Sequence, residues 1–349
     1  MRPTVLVVTT VHWPDDTRIR ERLIRSLSAG FSIDYASRSP GPSDRAGLRW
    51  IELAGGRLRR NLGAIRVALR SDWDVMVVHD PELVVCALLA RMVRKRPVVF
   101  DVHEDVPASA YTRGWVPGWM RRPLSAVLVR ILRVVERFLE VTLAEPGYQR
   151  LFRRHHPVFV NYPDTTRYPV PGGDSDGPAV YLGDVTLERG ADVAVEACVR
   201  AQVPMRLIGR TTAALQALLR GSWVSAETLT IDGMLPNQEA IQSLTTCSVG
   251  LAPLRDLPNY RYSQPTKVLE YLAMGLPVVA SDLPGTRQLV EGLDAVSLVS
   301  PGDPVALAAA VRESRTSEMM ERARSQAPTI RERFRWPAGE VRAYYESLL

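Results

Sequence analysis

Short apolar runs that end in polar or glycine-rich clusters recur along the chain, separated by stretches of helical spacing. Thr4–Thr9, Ile33–Ser37, Trp73–His79 and Pro97–Val102 read as strands. Arg18–Ala29 (Ile19, Leu23, Ile24 and Leu27 on one face) and Glu82–Val93 read as helices. Strands alternating with helices predict a parallel sheet with both faces covered, and ligands then collect at the carboxyl ends of the strands. Val158–Asn161 closes this first series as a strand. A second series has strands at Ala179–Leu182, Met205–Ile208, Thr228–Ile231, Ser248–Leu251, Pro277–Ala280 and Val296–Val299. Helical stretches through Val311 and Arg324 and a last helix near Ala338–Leu348 complete the chain. Between the two series, Tyr162–Asp176 is rich in proline and glycine and reads as a linker, as Ser39–Ala46 reads as an exposed loop. The expected fold class is α/β, with two doubly wound parallel-sheet domains, 1–163 and 177–335, joined by 164–176 and facing one another across a hinge. No internal repeat or low-complexity segment interrupts the pattern.

Several function classes are excluded early. No apolar run approaches the about 18 residues that span a bilayer, and Thr4–Val8 is too short for a signal segment. Cys86, Cys198 and Cys247 are far apart in apolar surroundings, which suggests reduced core thiols, no metal centre and a cytoplasmic address. There is no Gly-Lys-Ser/Thr phosphate loop and no Gly-x-Gly-x-x-Gly after a first strand, so P-loop kinase and NAD chemistry are disfavoured.

The polar clusters after the strands carry the chemistry. His12–Arg18, His79-Asp80 and His103-Glu104-Asp105 should converge at one edge of the first sheet. His103 alone could be a strand-end histidine partnered by Glu104 or Asp105. Asp16 and Arg18 could be a helix cap and first-turn ion pair. His155-His156 read as surface residues beside the linker. In the second series Gly183–Gly190, Gly209-Arg210-Thr211, Gly233–Pro236 and Leu251–Leu254 follow strands. Pro265–Ser281 then reads as a helix stopped by Gly275 and Pro277, followed by a buried strand. Lys267 and Glu270, three apart, share one face at the start of that helix. The positive end of a helix, a lysine, and an arginine (Arg189) near another helix start would suit a pyrophosphate, and the alternative is a solvated ion pair.

Net charge is +6, unevenly spread. Residues 1–170 hold 27 Lys+Arg against 17 Asp+Glu, whereas 171–349 hold 17 against 21. A basic first domain suggests an anionic partner, such as a membrane surface or a phosphorylated acceptor. No module of basic and stacking aromatic residues points to nucleic acid. Tyr111–Trp119, with Trp115 and Trp119, followed by Arg121 and Arg122, reads as a lipid-contacting segment. Leu124–Val141 reads as a packed amphipathic helix, with Leu128, Ile131, Leu132, Val135, Phe138 and Leu139 inward and Arg130, Arg133, Arg137 and Glu140 outward.

Taken together these segments resemble a known family. Ser263–Asp282 (SQPTKVLEYLAMGLPVVASD) is similar to the donor-site signature of GT-B glycosyltransferases of family 4, in the subgroup with Ser-x-Pro-x-Lys. Thr10–Gly30, Val99–Glu104, Asn161–Asp164 and Tyr181–Gly190 resemble other landmarks of that family, so the likeness covers essentially the whole chain. It implies a GT-B fold of two Rossmann-like domains across a cleft, with a final helix (336–349) crossing back to the first domain. It implies that Arg189 and Lys267 bind the donor pyrophosphate, that Glu270 takes the ribose hydroxyls, and that Gly233, Met234 and Leu235 border the base. His103 would be the catalytic histidine at the reacting sugar. His12, Asp16, Arg18, Glu104, Tyr262 and Ser263 would stand on the sugar and acceptor side.

Three positions depart from the family pattern. Tyr262 stands where many members carry the first of two glutamates seven residues apart. His12-Trp-Pro-Asp-Asp16 replaces a glycine pair, and Asp184 stands where a basic residue is common. The implied enzyme is a metal-independent, cofactor-free retaining hexosyltransferase. It would move sugar from a UDP-, GDP- or dTDP-linked donor to a glycan, lipid-linked or small-molecule hydroxyl acceptor. The expected setting is cell-envelope polysaccharide or glycolipid synthesis, in the cytoplasm or at the inner face of the membrane. A natural-product acceptor, a sugar-nucleotide epimerase and a non-catalytic subunit are the alternatives.

Overall fold

A computed structural model describes residues 2–40, 47–111, 116–221 and 228–349. Most of Ser39–Ala46, and Trp115, lie outside them. The chain divides into two compact units, Met1–Asn161 with Trp336–Leu349, and Tyr162–Arg335.

The first unit is a six-stranded parallel sheet: β1 (Thr4–Val8), β2 (Ser32–Ser37), β3 (Leu48–Glu52), β4 (Val75–Val78), β5 (Val98–Val102) and β6 (Glu140–Leu143). The spatial order is β3-β2-β1-β4-β5-β6, with Val5 opposite both Ile33 and Val75. The central strands are almost wholly apolar because both faces are covered. Strand order runs one way from β1 to β3 and the other way from β4 to β6. Right-handed crossovers therefore put the connecting helices on opposite faces. Helices Arg57–Arg70, Val84–Arg94 and Gly118–Val135 share one face, where Ala64, Ala68, Ala87, Ala90 and Leu132 pack on Leu6, Val8 and Met76. On the other face Ile19, Ile24 and Leu27 pack with Val341 and Tyr345 of the last helix, Ala338–Glu346, against Val5 and Val7. The Trp336 Nε1 donates to Ser26 Oγ at 2.8 Å, fixing that helix to the first unit.

The expectations and the structure differ at several elements here. The strand Leu48–Glu52 and the helix Arg57–Arg70 were not expected. The strand is an edge with exposed positions, and the helix buries only Ala64 and Ala68 among its arginines, so neither shows a clear apolar period. The amphipathic helix begins at Gly118 and ends at Val135 instead of running to Val141, because Glu140–Leu143 leaves it to pair with β5. Within it Leu132 and Val135 are buried, but Ile131, and Phe138 beyond its end, stay exposed, against the expected inward face. Val158–Asn161 forms only a single bridge, Leu143 to Val158. The Arg18–Ala29 segment is a π-helix, Thr17–Ile24, running into one α-helical turn, with Asp16 capping it through the N–H groups of Arg18 and Ile19.

The second unit repeats the architecture with β7 (Ala179–Leu182), β8 (Met205–Ile208), β9 (Leu229–Gly233), β10 (Val249–Ala252), β11 (Val278–Ser281) and β12 (Val296–Val299), all parallel in the order β12-β11-β10-β7-β8-β9. The order reverses between β7 and β10, and Tyr271 ties these strands together there. Its hydroxyl accepts from Leu182 N at 2.7 Å and donates to Leu251 O at 3.4 Å. The ring lies so close to β10 that a Cβ on Gly250 would come within 2.2 Å of it, so only glycine fits. Tyr271 belongs to the helix Thr266–Ala273, buried from Lys267 onward. Such a helix has no solvated face for an ordinary ion pair.

Candidate active site

In the first unit the polar clusters converge at the carboxyl ends of β1, β4 and β5. Their hub is Asp101, on β5 two residues before His103. Its carboxylate accepts from Arg18 Nε (2.9 Å) and NH2 (2.8 Å), from Thr142 Oγ1 (2.8 Å) and from His79 Nδ1 (3.2 Å). The buried Asp101 is held well below the usual carboxylate range: burial opposes this, and the Arg18 charge with the His79 and Arg18 hydrogen bonds outweighs burial. Arg18 therefore pairs with Asp101, not with Asp16, and its NH1 also donates to Phe159 O.

Hydrogen-bond geometry and the surrounding charges together set the histidine protonation states. His103 Nδ1 lies 3.2 Å from the Asp101 carbonyl, which can only accept, so Nδ1 carries the hydrogen. Its Nε2 lies 2.9 Å from His12 Nε2, so one proton sits between the two rings, and the Asp80 carboxylate, 3.3 Å from His12 Nε2, favours it on His12. His12 Nδ1 lies 3.2 Å from the Asp16 carboxylate and must donate as well. With hydrogens on both nitrogens, His12 is an imidazolium beside a neutral His103. The electrostatics agree. Burial disfavours charge on His12, yet the Asp16 hydrogen bond and the charges of Asp16, Asp80 and Glu104 raise it to about 9. His103 is pushed down by burial and then by the His12 charge. Asp80 holds the preceding loop through Thr9 Oγ1 (2.9 Å) and Val11 N (3.2 Å), and lies 3.3 Å from His12 Nε2.

Beside this network is a cavity of about 340 Å³, with His79, Asp80, His103 and Glu104 at one side and apolar residues such as Phe100 and Leu128 at the other. His79 Nε2 is buried without a hydrogen-bond partner among the described residues. Neither Glu104 nor Asp105 partners His103. Glu104 is exposed on the cavity wall, and Asp105 caps its own helix at Ala108 N and pairs with Arg150. His79, Asp101 and His103 offer ligand atoms within 4.8 Å of one another. The bidentate Arg18 guanidinium already neutralises Asp101, so this set is a poor metal site. His156, expected at the surface, is instead tucked against the buried Glu136 at 3.0 Å.

In the second unit Lys267 is 8% exposed and Glu270 9%. The Lys267 Nζ has no hydrogen-bond partner among the described residues and stands 3.6 Å from the centre of the Tyr181 ring. Burial, and next the charge of Arg189, push its pKa well below the usual lysine value, despite the opposing charges of Glu270 and Asp184. Arg189 lies 5.7 Å from the Tyr260 ring. Two basic groups are thus held near one another, and the charges of Glu270 and Asp184 only partly offset the burial of Lys267 and its repulsion by Arg189. Gly183 packs over Lys267, and Gly183 and Gly209 continue the sheet beyond β7 and β8 through Gly183 N to Ile208 O (2.8 Å) and Gly209 N to Gly233 O, the last residue of β9 (2.8 Å). A Cβ on Gly209 would come within 1.8 Å of Gly183 O. Beyond this bare backbone Met234 is exposed and Leu235 half-buried, while Tyr262 is exposed and Ser263 half-buried. Asp184, at the departure noted above, is also exposed.

Asp101 and Tyr271 were missed as organising residues. A carboxylate inside the apolar run Val98–Val102 is the signal that could have found Asp101, since a buried carboxylate requires partners.

Residues 179–315 match a family model described as Glycosyl transferases group 1. No curated protein sequence matches the chain. Among solved structures, Anabaena HepE in complex with UDP and glucose is similar with a TM-score of 0.72 at 14% identity, covering 99% of this chain and 98% of that one. Sucrose-phosphate synthase from Thermosynechococcus elongatus is similar with a TM-score of 0.74 at 17% identity, covering 100% and 99%. WaaG, a glycosyltransferase involved in lipopolysaccharide biosynthesis, is similar with a TM-score of 0.71 at 11% identity, covering 97% and 98%. With its two Rossmann-like units, each a six-stranded parallel sheet, the chain has the GT-B fold of these structures.

Proposed function

We propose that the protein is a retaining, metal-independent glycosyltransferase that moves a hexose from a nucleoside diphosphate to a hydroxyl acceptor. The observation that carries this reading is Lys267, a buried lysine without a hydrogen-bond partner among the described residues, beside Arg189 at the start of a helix. A diphosphate is the ligand that offers this pair enough charge, and it would neutralise the leaving group as the glycosidic bond breaks. Glu270 would accept from the ribose hydroxyls, and the backbone at Gly233, Met234 and Leu235 would border the base. The group 1 match over 179–315 and the UDP and glucose bound in the HepE structure support a nucleotide-sugar donor.

In the first unit, neutral His103 offers a lone pair on Nε2 that a sugar hydroxyl can take over from the His12 N–H. Asp16 keeps His12 charged through that exchange. Arg18 acts at one remove, by fixing Asp101 and with it the strand end that carries His103. Glu104 and the cavity wall would meet the acceptor, and Tyr262 and Ser263 the transferred sugar. The lipopolysaccharide role of WaaG and the basic first unit support a cell-envelope acceptor met at the inner face of the membrane.

Melting the protein with UDP, GDP, dTDP and ADP tests the donor site, since a diphosphate at 100 times its Kd stabilises the fold by about 2.7 kcal/mol. If none of the four raises the melting temperature, the reading fails.

A further inference from the structure

Helices Arg57–Arg70, Val84–Arg94 and Gly118–Val135 lie on one face of the first sheet. They hold five, two and four arginines, eleven together, and no aspartate or glutamate. None of the eleven is buried. Among them stand large apolar side chains that the core does not use: Leu58 and Leu62 on the first helix, Val85, Met92 and Val93 on the second, Trp119 on the third. On that third helix Met120, Val127, Ile131 and Val134 are exposed as well, and their spacing of seven, four and three puts them on one stripe. The helices on the opposite face differ, since they bury their apolar residues and carry Glu21, Glu340 and Glu346.

We infer that this three-helix face docks the protein on an anionic lipid surface. Arg57 pairs with Glu82 and Arg94 with Asp72. The other arginines of the three helices attract anionic headgroups, and alkyl and indole groups between them can enter the boundary of the acyl region. A second copy fits poorly, because a two-fold pairing would set arginine against arginine. Nucleic acid would engage the charge but leave the exposed Leu, Met, Val and Ile side chains without a role. The site gives the docking a purpose: the helix Gly118–Val135 lines the cavity beside His103 with Leu124 and Leu128. Its far side lies only a helix diameter away, about 10 Å. The inference adds a partner to the proposed reaction and rests on that reading only for this purpose.

Flotation with vesicles of phosphatidylcholine, with and without phosphatidylglycerol, tests it on the full chain. Binding is expected only with phosphatidylglycerol and is lost at high salt. The combined change Arg66→Glu, Arg122→Glu and Arg130→Glu should weaken it by at least about fivefold per arginine. Ile131→Gln with Val134→Gln should also weaken binding, whereas Leu218→Gln, an exposed leucine of the second unit, should not. Absence of flotation at low salt, equal binding to pure phosphatidylcholine, or binding indifferent to both sets of changes would overturn the inference. So would tighter binding to duplex DNA than to vesicles. The UDP melting shift, recorded on the same samples, reports the nucleotide site separately, so either reading can fail alone.

Discussion

Lys267→Met is expected to move stability and nucleotide affinity in opposite directions. Met keeps the length of the side chain and removes the charge. In the nucleotide-free protein that charge is a burden, since it is buried, lacks a hydrogen-bond partner and sits near Arg189. A lysine whose folded pKa is depressed opposes folding at any pH below its unfolded value of about 10.4, and most strongly below its folded value. Replacing such a charge with an apolar group of similar volume stabilises by about 1–4 kcal/mol. The same change removes a charge-assisted hydrogen bond to the diphosphate, worth about 1.5–3 kcal/mol, and so weakens Kd by roughly 10- to 150-fold. Thermal melts without ligand and titration calorimetry with UDP read the two effects. Binding to the wild type should also take up protons, because the diphosphate favours the ammonium form. Calorimetry in buffers of different ionisation enthalpy detects this uptake. A Met variant that melts lower than the wild type, or that binds UDP within twofold of it, would refute the reasoning. The lysine identity is itself informative, because Lys95 is the only other lysine among the 44 basic residues. A lysine ammonium is a compact point charge with three rotatable donors, in contrast to the fixed planar fork of arginine.

His12 supplies a pH dependence. Its folded pKa, about 9, lies above the unfolded value of about 6.5, so the stabilisation is full below the lower value and lost as pH rises through the upper one. Urea unfolding across this window should show a loss of about 3 kcal/mol, which His12→Gln flattens. Asp101→Asn leaves the buried Arg18 facing a neutral partner and is expected to destabilise the first unit by about 3–5 kcal/mol, read by chemical denaturation. Gly190→Ala puts a Cβ 1.9 Å from Pro253 O at a φ of +77°. Strain and overpacking together should remove at least about 2 kcal/mol and lower the melting temperature.

The alternation of apolar strands and helices, and the polar residues that end each strand, were legible in the amino-acid order. Both follow from local periodicity and from the burial of parallel strands on both faces. The strand Leu48–Glu52 and the helix Arg57–Arg70 were not, because an exposed edge and an arginine-rich helix with two small buried residues leave no periodic apolar signal. For the same reason the inward face of the third helix was misjudged at Ile131 and Phe138, since apolar spacing cannot distinguish a core stripe from an exposed one. Lys267 and Glu270 could be paired on one helix face by counting. Only tertiary packing showed that the face is buried and the ammonium left without a hydrogen bond. Likewise His12, His79 and His103 could be assigned to strand ends, but their roles depend on Asp101 and on one Nε2-to-Nε2 contact across 91 residues. The sequence alone determined which residues reach the sheet edges, because strand periodicity is local. Which of them carry a proton or an unbalanced charge was decided by the folded structure, because burial and neighbours from distant segments set those energies.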